Sequence, residues 1–323
     1  MKKILHTAKY TGAPLEILKG ACPKGFTVKT LDEPTHEQLV KEAIDADYFL
    51  VSGRLPIDKE VLDNAPLLRM IQRTGVGTEM LDVEAIKKRG VPVYVNRGVN
   101  AQSVAEHTIL LILACLRRLP LINEQVHHGI WRKQQTGVTT RELKGKTVAI
   151  VGMGSIGRMV AQMLQPFGAK VIYTDVVRLS TEKERLLGLT FYDSFESLLP
   201  MADILSFHCP LTPDDTEMLN SRTLSLMKEG AIVVNTARGK LINPNDLYDS
   251  LTSGHLSTAA LDTHYEEPLT DGYLLSKLNN VILTPHIGGL SYEAFQSMIT
   301  GAMENIEAFD NGLYERISNA KFL

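Results

Sequence analysis

The chain has 323 residues, of which 44% are hydrophobic and 22% are charged. This composition is typical of a globular protein, and the length favours two domains because a single hydrophobic core rarely grows beyond about 250–300 residues. The net charge is −3, with acidic and basic residues interspersed. Nucleic acid and anionic membranes both need a clustered basic face, so the charge pattern argues against either as the main partner.

The cysteine content and the hydrophobic runs suggest a compartment. Cys22, Cys115 and Cys209 lie far apart and in no metal-like spacing, so we expect reduced thiols and no bound metal. The basic start of the chain lacks an apolar stretch long enough for a signal peptide. The longest apolar run, residues 109–116, falls short of the ~20 residues that a membrane helix needs. We therefore expect a cytoplasmic protein.

Short apolar runs rich in Val, Ile and Tyr alternate with helical patterns along the whole chain. Runs that polar residues do not interrupt suit strands covered on both faces, as in a parallel sheet. In the first third, helices are predicted at residues 36–44 and 83–89. The predicted strands of this first α/β unit are residues 3–7, 26–31, 48–52, 69–74 and 91–96.

A second and larger α/β unit follows. A long apolar helix is predicted at residues 103–119, and the polar segment 127–143 after it has no clear period. The tail, residues 291–309, is again helical, and we expect it to pack on the first domain. The predicted domains are therefore 1–100 plus 291–323, and 101–290. The predicted strands of the second unit are residues 147–151, 169–174, 204–207, 231–236, 258–261 and 281–284.

The sequence Gly152-Met-Gly154-Ser-Ile-Gly157 joins a predicted strand to a helical pattern. Gly152 permits the tight turn, Gly154 lets the backbone approach a pyrophosphate, and Gly157 lets helix and strand pack closely. The N–H groups at the helix start attract the anion. Asp175, at the end of the next strand, can hold both ribose hydroxyls and repel a 2′-phosphate. The pattern predicts a dinucleotide site that prefers NAD to NADP, although Arg178 lies close enough to weaken that preference.

Reactive side chains follow the strands of the second unit, where ligands of parallel sheets bind. Hydride transfer between a 2-hydroxy acid and nicotinamide needs a base that titrates near neutrality, a bidentate cation, and a carboxylate that orients the base. His286, Arg238 and Glu267 supply these three types. All the reactive side chains that follow the strands of this unit are Asp175, His208, Arg238, Asp262 and His286, with Glu267 in the loop after Asp262.

Several segments resemble the D-isomer-specific 2-hydroxyacid dehydrogenase family, in the family's order and over nearly the whole chain. The resemblance implies α/β architecture with two Rossmann-like doubly wound parallel-sheet domains and the active site in the cleft between them. It also implies an oxidoreductase that transfers a hydride between NAD(H) and a small 2-keto acid or D-2-hydroxy acid. The segments are 100–106 (NAQSVAE), 208–213 (HCPLTP), 235–239 (NTARG), 261–269 (LDTHYEEPL) and 284–289 (TPHIGG).

The resemblance also implies residue roles. Arg238 would bind the substrate carboxylate and carbonyl, His286 would be the acid/base, and Glu267 would tune it. Together with the segment 127–143, the long helix resembles the family's dimerisation arm, so we expect a homodimer. The expected substrate residues are Ser52, Gly53, Val76, Gly77, Arg238 and His286. The expected NAD residues are Val76, Gly152, Gly154, Ser155, Ile156, Gly157, Asp175, His208, Cys209, Pro210, Thr236, Ala237, Arg238, Asp262, His286 and Gly289.

Some residues have competing interpretations. His208 and His264 rival His286 by position; we interpret His208 as a neighbour of the cofactor and His264 as a pocket-wall or surface residue. Glu266 stands beside Glu267, and only the match to the Glu-Pro pattern of the family chooses between them. We interpret Trp131 and His127-His128 as interface or surface residues.

The roles of other residues stay open from the sequence alone. Asp262, expected at the NAD site, can equally have only a structural role, as a helix cap or a turn residue. Cys209 is expected to be a small residue beside the nicotinamide, because no activating base is implied. Phosphoglycerate dehydrogenases often carry Arg directly after the third strand, whereas this chain has Ser52 there and Arg54 two residues on. That difference, with a chain that ends shortly after its last helix, disfavours phosphoglycerate, and the effect of Arg97 on substrate choice is open.

Three functions compete. The leading hypothesis is reversible reduction of a 2-keto acid by NADH. A second is oxidation of an inorganic or one-carbon anion such as phosphite or formate. A third is an NAD(H)-sensing corepressor or scaffold. The intact set of Arg238, Glu267 and His286 favours turnover, and the absence of long flanking tails disfavours the scaffold.

Overall fold

The computed structural model describes residues 1–323, except for the side chain of Pro213. The chain forms two compact units, Met1–Asn100 with Tyr292–Leu323, and Ala101–Ser291. Each unit contains one parallel sheet flanked by helices, which confirms the predicted α/β class with two parallel-sheet domains. Among the described residues, no helix combines the length and the apolar character needed to cross a membrane.

The strand order differs between the two sheets. The first sheet has five strands in the order β2-β1-β3-β4-β5, and the second has seven in the order β12-β11-β10-β9-β6-β7-β8. All neighbouring strands in both sheets pair in parallel. The strands are β1 (Lys2–His6), β2 (Phe26–Thr30), β3 (Tyr48–Val51), β4 (Met70–Arg73), β5 (Val93–Tyr94), β6 (Thr147–Val151), β7 (Lys170–Thr174), β8 (Leu189–Phe191), β9 (Ile204–Phe207), β10 (Ala231–Asn235), β11 (Leu256–Leu261) and β12 (Val281–Leu283).

The helices connect the strands, as parallel pairing requires. Several helices are preceded by a residue whose side chain accepts a hydrogen bond from a free backbone N–H of the first turn. For example, Thr35 accepts from Gln38, and Asp58 accepts from Val61. The α-helices are α1 (Ala13–Gly20), α2 (His36–Ala43), α3 (Lys59–Asp63), α4 (Val83–Arg89), α5 (Ala101–Arg117), α6 (Leu119–His127), α7 (Lys133–Gly137), α8 (Ser155–Leu164), α9 (Thr181–Leu186), α10 (Phe195–Leu198), α11 (Ser221–Leu224), α12 (Pro244–Thr252) and α13 (Tyr292–Asp310).

Four elements differ from the sequence prediction. The long helix predicted at 103–119 starts earlier and ends at Arg117, because Arg118 takes a left-handed conformation with φ 51. A separate helix, α6, begins immediately after it with Pro120 in its first turn, where proline is tolerated. The segment 127–143, for which no period was found, contains the short helix α7. Strand β8 was missed because it is a three-residue edge strand without an apolar run.

In the first unit, α13 covers one face of the sheet. Its residues Ile299 and Met303 are buried against Tyr48 of β3 and Met70 of β4. The opposite face of the same strands is buried by a separate apolar cluster that includes Phe49. Because successive strand residues point to opposite faces, the uninterrupted apolar runs follow directly from this double coverage.

In the second unit, α5 and α8 pack on one face of the sheet. Ile112 and Val160 from these helices are buried against Val148 and Ile150 of β6. The other face is buried by a second cluster that includes Leu247 of α12. The central strands are therefore inaccessible on both faces, and only the strand ends and their loops can present side chains to a ligand.

A buried ion cluster attaches the end of α13 to the first sheet. Asp310 accepts hydrogen bonds from the Tyr48 hydroxyl at 2.7 Å, from Arg69 Nη1 at 2.6 Å, and from Lys2 Nζ. Its side chain is only 9% exposed. Burial alone would raise the pKa of Asp310, but these three donors outweigh it and lower the pKa to about 2. The folded state therefore stabilises the ionised carboxylate.

We expect Asp310→Ala to lower the free energy of unfolding of the first unit by about 2 kcal/mol, because it removes the acceptor of buried Tyr48 and the partner of two half-exposed cations, Lys2 and Arg69. Amide hydrogen exchange in β1 and β3 measures this. Since the folded pKa is depressed, the stabilisation is complete above about pH 4 and is lost as the pH falls towards 2. Asp63→Ala, which breaks the exposed pair with Lys59, is the matched control and should change stability by less than about 1 kcal/mol. Equal losses of stability in the two variants would contradict the stabilising role of the Asp310 cluster.

Candidate active site

The predicted residues of the second unit start from one edge of its sheet. Strands β6, β7, β9, β10, β11 and β12 are parallel, so their carboxyl ends lie on the same side. Asp175 follows β7, Arg238 follows β10, and His286 follows β12. The fold therefore presents these side chains at a common edge.

The glycine-rich loop after β6 fits a dinucleotide pyrophosphate. Gly152 has φ 94, and a Cβ there would lie 2.6 Å from the backbone N of Cys209. A Cβ on Gly157 would lie 2.1 Å from the carbonyl oxygen of Gly152. At Gly154, the N-terminal residue before α8, a Cβ would meet open space within 4 Å of the described atoms, so a ligand can reach the backbone. Two glycines are thus needed for packing and the third leaves an accessible helix N-terminus, where anions bind.

Asp175 lies beside this loop. Its Oδ2 accepts from the backbone N–H of Met153, and its Oδ1 accepts from the backbone N–H of Val177 at 2.9 Å. The carboxylate is therefore held next to the glycine-rich turn, at the place where the sequence predicts the ribose. Val176 is fully exposed beside it.

His208 and Cys209 follow β9 and adjoin Gly152. His208 shares a hydrogen bond of 2.8 Å between Nε2 and the Ser206 hydroxyl, and burial lowers its pKa to about 3. The imidazole is therefore neutral at physiological pH and is unsuited to carry the proton of the reaction. Its buried Nδ1 has no partner among the described residues, which is costly unless a bound molecule satisfies it. Burial also raises the pKa of the Cys209 thiol to about 12, in line with a packing role.

The loop after β10 is shaped by its own side chains. Asn235 Nδ2 donates to the Arg238 carbonyl at 2.8 Å, and Asn235 Oδ1 accepts from the Ala237 N–H at 3.0 Å. Arg238 Nη1 donates to the Ala237 carbonyl at 2.8 Å. A Cβ on Gly239 would lie 1.9 Å from the carbonyl carbon of His264. Only glycine allows this close approach, which brings the Arg238 loop against the loop after β11.

Glu267 and His286 form a hydrogen-bonded pair. His286 Nδ1 lies 2.9 Å from Glu267 Oε2, and Glu267 Oε1 accepts from the backbone N–H of His264 at 2.7 Å. The Glu267 side chain is 15% exposed, whereas that of His286 is 43% exposed. Glu266 is exposed to solvent. The structure thus pairs Glu267, and not Glu266, with the histidine.

Asp262 anchors the loop that carries His286. Its carboxylate accepts from the Thr284 hydroxyl at 2.6 Å and from the backbone N–H groups of Ile287 at 2.9 Å and Gly288 at 2.8 Å. The residue is 1% exposed. Burial alone would raise its pKa, but these donors together with His107 lower it to about 2. These contacts are those of a turn residue, the structural role that the sequence left open, and a contact of Asp262 with NAD stays a prediction.

The loop holds His286 in an unusual conformation. Its φ of 56 lies in the left-handed region, which side chains other than glycine rarely adopt and which surrounding contacts must enforce. His264, which is 6% exposed and not on the surface, pairs its Nε2 with the Thr284 carbonyl at 2.9 Å. Ser103 donates to the Gly288 carbonyl at 2.7 Å, and His107 Nε2 lies 3.2 Å from the Thr284 hydroxyl.

Sequence reasoning missed Ser103, His107 and Thr284 as supports of this loop. Ser103 and His107 are four residues apart on α5, so they share one face of the helix, and that spacing was the available signal. The remaining expected cofactor residues of the second unit lie at the same strand ends: Ser155 and Ile156 at the start of α8, Pro210 after Cys209, Thr236 and Ala237 before Arg238, and Gly289 after Gly288.

The expected residues of the first unit follow its own strands. Ser52 and Gly53 come directly after β3, while Val76 and Gly77 lie in the loop after β4. Ser52 is 6% exposed, and its hydroxyl hydrogen-bonds with His6 Nε2. Their contacts with substrate or cofactor stay a prediction.

Comparisons with known proteins agree with this geometry. Residues 109–288 match the model for the D-isomer specific 2-hydroxyacid dehydrogenase NAD binding domain. The chain is 38% identical over 320 residues to the glyoxylate reductase of Aeropyrum pernix, which covers 96% of this chain and 93% of that protein. It is 37% identical over 279 residues to the D-3-phosphoglycerate dehydrogenase of Mycobacterium tuberculosis, covering 86% of this chain and 52% of the relative. The chain thus spans about half the length of that curated relative.

A solved structure shows the same fold over the full length. It is the D-lactate dehydrogenase of Aquifex aeolicus, complexed with NAD and lactic acid, with a TM-score of 0.84 and 28% identity, covering 99% of this chain and 98% of that one. The matched NAD-binding domain makes up more than half of this sequence. The chain therefore belongs to the D-isomer specific 2-hydroxyacid dehydrogenase family, as its motifs predicted.

Proposed function

We propose that the chain catalyses reversible, NAD-dependent hydride transfer between a small 2-keto acid and the corresponding D-2-hydroxy acid. The observation that carries the proposal is the His286–Glu267 pair, with 2.9 Å between Nδ1 and Oε2. It lies at the same sheet edge as the glycine-rich loop and as the loop of Arg238. The proposed proton carrier, cation and cofactor cradle thus all come from loops at the carboxyl ends of strands of one sheet.

His286 is proposed as the general acid and base. Glu267 occupies Nδ1, which leaves Nε2 for proton exchange with the substrate oxygen. The carboxylate also stabilises the imidazolium that forms when His286 takes the proton of a hydroxy acid. Asp262 acts indirectly, because it holds the backbone on which the imidazole is mounted.

Arg238 is proposed to bind the substrate. A guanidinium can hold a carboxylate with two parallel hydrogen bonds and can stabilise negative charge on the neighbouring carbonyl oxygen. Gly154, the N-terminus of α8 and Asp175 fit NAD by accessible backbone and by charge. When bound, the nicotinamide supplies or takes up the hydride. Ser52, Gly53, Val76 and Gly77 are proposed to complete substrate binding.

Glyoxylate is the first substrate to test, because the Aeropyrum relative is named a glyoxylate reductase. Pyruvate, hydroxypyruvate, oxaloacetate and a branched 2-keto acid complete the panel. Consumption of NADH, followed by its absorbance, supports the enzyme, whereas tight NADH binding without consumption would favour the NAD(H)-sensing alternative.

We further propose a cytoplasmic homodimer. Apolar side chains on and after α6 are exposed, with Trp131 at 78% and Val138 at 76%. Exposed apolar patches of this kind are typical of protein–protein interfaces, and a second copy is the partner the family resemblance favours. The cysteines are free thiols within the described residues, which suits a reducing compartment.

We expect His286→Ala to lower kcat by ~10²–10⁴ while NADH binding is retained, because only the proton carrier is lost. Steady-state kinetics with the best keto acid, alongside fluorescence titration of NADH, measures both effects. His36→Ala, which removes a histidine paired with Asp58 in the first unit, is the control and should keep its activity. Near-normal turnover of the His286 variant would remove it from the mechanism.

We expect Asp175→Ala to narrow the preference for NADH over NADPH, mainly through weaker NADH binding, because the ribose hydroxyls lose their acceptor and a 2′-phosphate loses a repulsive charge. Dissociation constants for both cofactors measure this. Asp249→Ala, at an exposed position of α12, is the control. An unchanged cofactor ratio in the Asp175 variant would count against the assigned ribose contact.

We expect Trp131→Ala to raise the dissociation constant of the dimer at least about tenfold, since buried aromatic anchors dominate interface energies. Sedimentation equilibrium of wild type and variant measures the constant. Leu67→Ala, which removes a side chain 54% exposed in the first unit, is the matched control. A monomeric wild type, or equal constants for both variants, would contradict the proposed interface.

A further inference from the structure

A cluster of side chains surrounds Arg178, the cation that complicates the predicted preference for NAD. Its guanidinium donates two parallel hydrogen bonds to Glu184, from Nε to Oε1 at 2.9 Å and from Nη2 to Oε2 at 3.0 Å. The Tyr173 hydroxyl donates to the same Oε1 at 2.8 Å and accepts from the Leu179 N–H at 3.0 Å. The guanidinium also lies over the Phe191 ring, 4.9 Å from its centroid.

Within this cluster, Glu184 orients the guanidinium of Arg178. The Glu184 side chain is 9% exposed, and a buried carboxylate is tolerated only when it is paired and hydrogen-bonded. The hydrogen bond from Arg178, followed by that from Tyr173, keeps the pKa of Glu184 below its ordinary value. Bidentate pairing and stacking both orient the plane of a guanidinium, so the two contacts together favour one position for Arg178, whose side chain is 57% exposed.

The position matters because of the strand order. Strand β7 lies between β6 and β8 in the sheet. The Asp175 carboxylate, directly after β7, accepts from Met153 in the loop after β6. Arg178 instead lies over Phe191, which belongs to β8. The anion and the cation therefore contact opposite neighbours of β7, and among the described residues Arg178 pairs with Glu184 and forms no ion pair with Asp175.

NADP differs from NAD by a phosphate on the 2′-hydroxyl of the adenosine ribose, and a site that accepts this phosphate needs a nearby cation. We propose that Glu184 is a positioning residue that keeps Arg178 away from the ribose-binding edge, so that the site selects NAD over NADP. This inference rests on the proposed function, in which Asp175 holds the ribose. It assigns cofactor selectivity to a buried side chain that does not itself touch the cofactor.

The test compares Glu184→Ala and Glu184→Gln with wild type. Dissociation constants of NADH and NADPH come from fluorescence titration, and KM and kcat with each cofactor come from steady-state assays. In Glu184→Ala, the ratio of the NADPH to the NADH dissociation constant should fall about tenfold, because a released guanidinium can pair with the phosphate. The KM for NADPH should fall in parallel with little change in kcat. Glu184→Gln keeps an acceptor for Tyr173, so it preserves the fold and should shift the ratio in the same direction by less.

The double variant Arg178→Ala/Glu184→Ala separates released charge from general disturbance. If the proposal holds, the gain in NADPH binding disappears in the double variant, and Glu182→Gln, at an exposed position of the same helix, leaves the ratio unchanged. A ratio unchanged in both folded single variants would overturn the proposal, as would a gain that persists without Arg178. Wild type that fails to bind NADH would overturn the proposed function itself, a result that the same titration reveals separately.

Discussion

The buried carboxylate of Asp262 is the interaction on which the site depends. It accepts hydrogen bonds from three donors of the loop 284–288. That loop carries His286, whose backbone φ an unsupported residue would rarely adopt. Burying an unpaired charge would be costly, so the carboxylate and the loop require one another. In this position of the backbone, the imidazole forms its hydrogen bond with Glu267.

The parallel sheet supplies the remaining constraint. Its strands are covered on both faces, so chemistry is confined to the loops at the carboxyl edge. Those loops contact one another through backbone that tolerates no side chain, at Gly239 against His264 and at Gly152 against Cys209. Glycines at these contacts explain how a cation, an acid–base pair and an anion cradle come from segments far apart in the chain. At the same edge, Asp175 contacts the loop after β6, whereas Arg178 lies over Phe191 of β8.

Much of this could be predicted from sequence, and the limits are physical. Runs of four apolar residues identify β6 and β10, because both faces of these strands are buried. Strand β8 was missed because three residues at a sheet edge carry no such pattern. The pairing of Glu267 with His286 followed from motifs whose residue types match the chemistry. The anchoring role of Asp262 and the hold of Glu184 on Arg178 did not, since each is a tertiary contact that local patterns do not encode.

The proposed function requires hydride transfer at this edge with a defined stereochemical outcome. The most direct measurement incubates the wild-type protein with NADH and pyruvate or hydroxypyruvate, then determines the amount and the configuration of the hydroxy acid formed. We expect that the amount of NADH consumed equals the amount of hydroxy acid formed, and that this product has the D configuration. An L product, or bound NADH that no 2-keto acid oxidises, would contradict it.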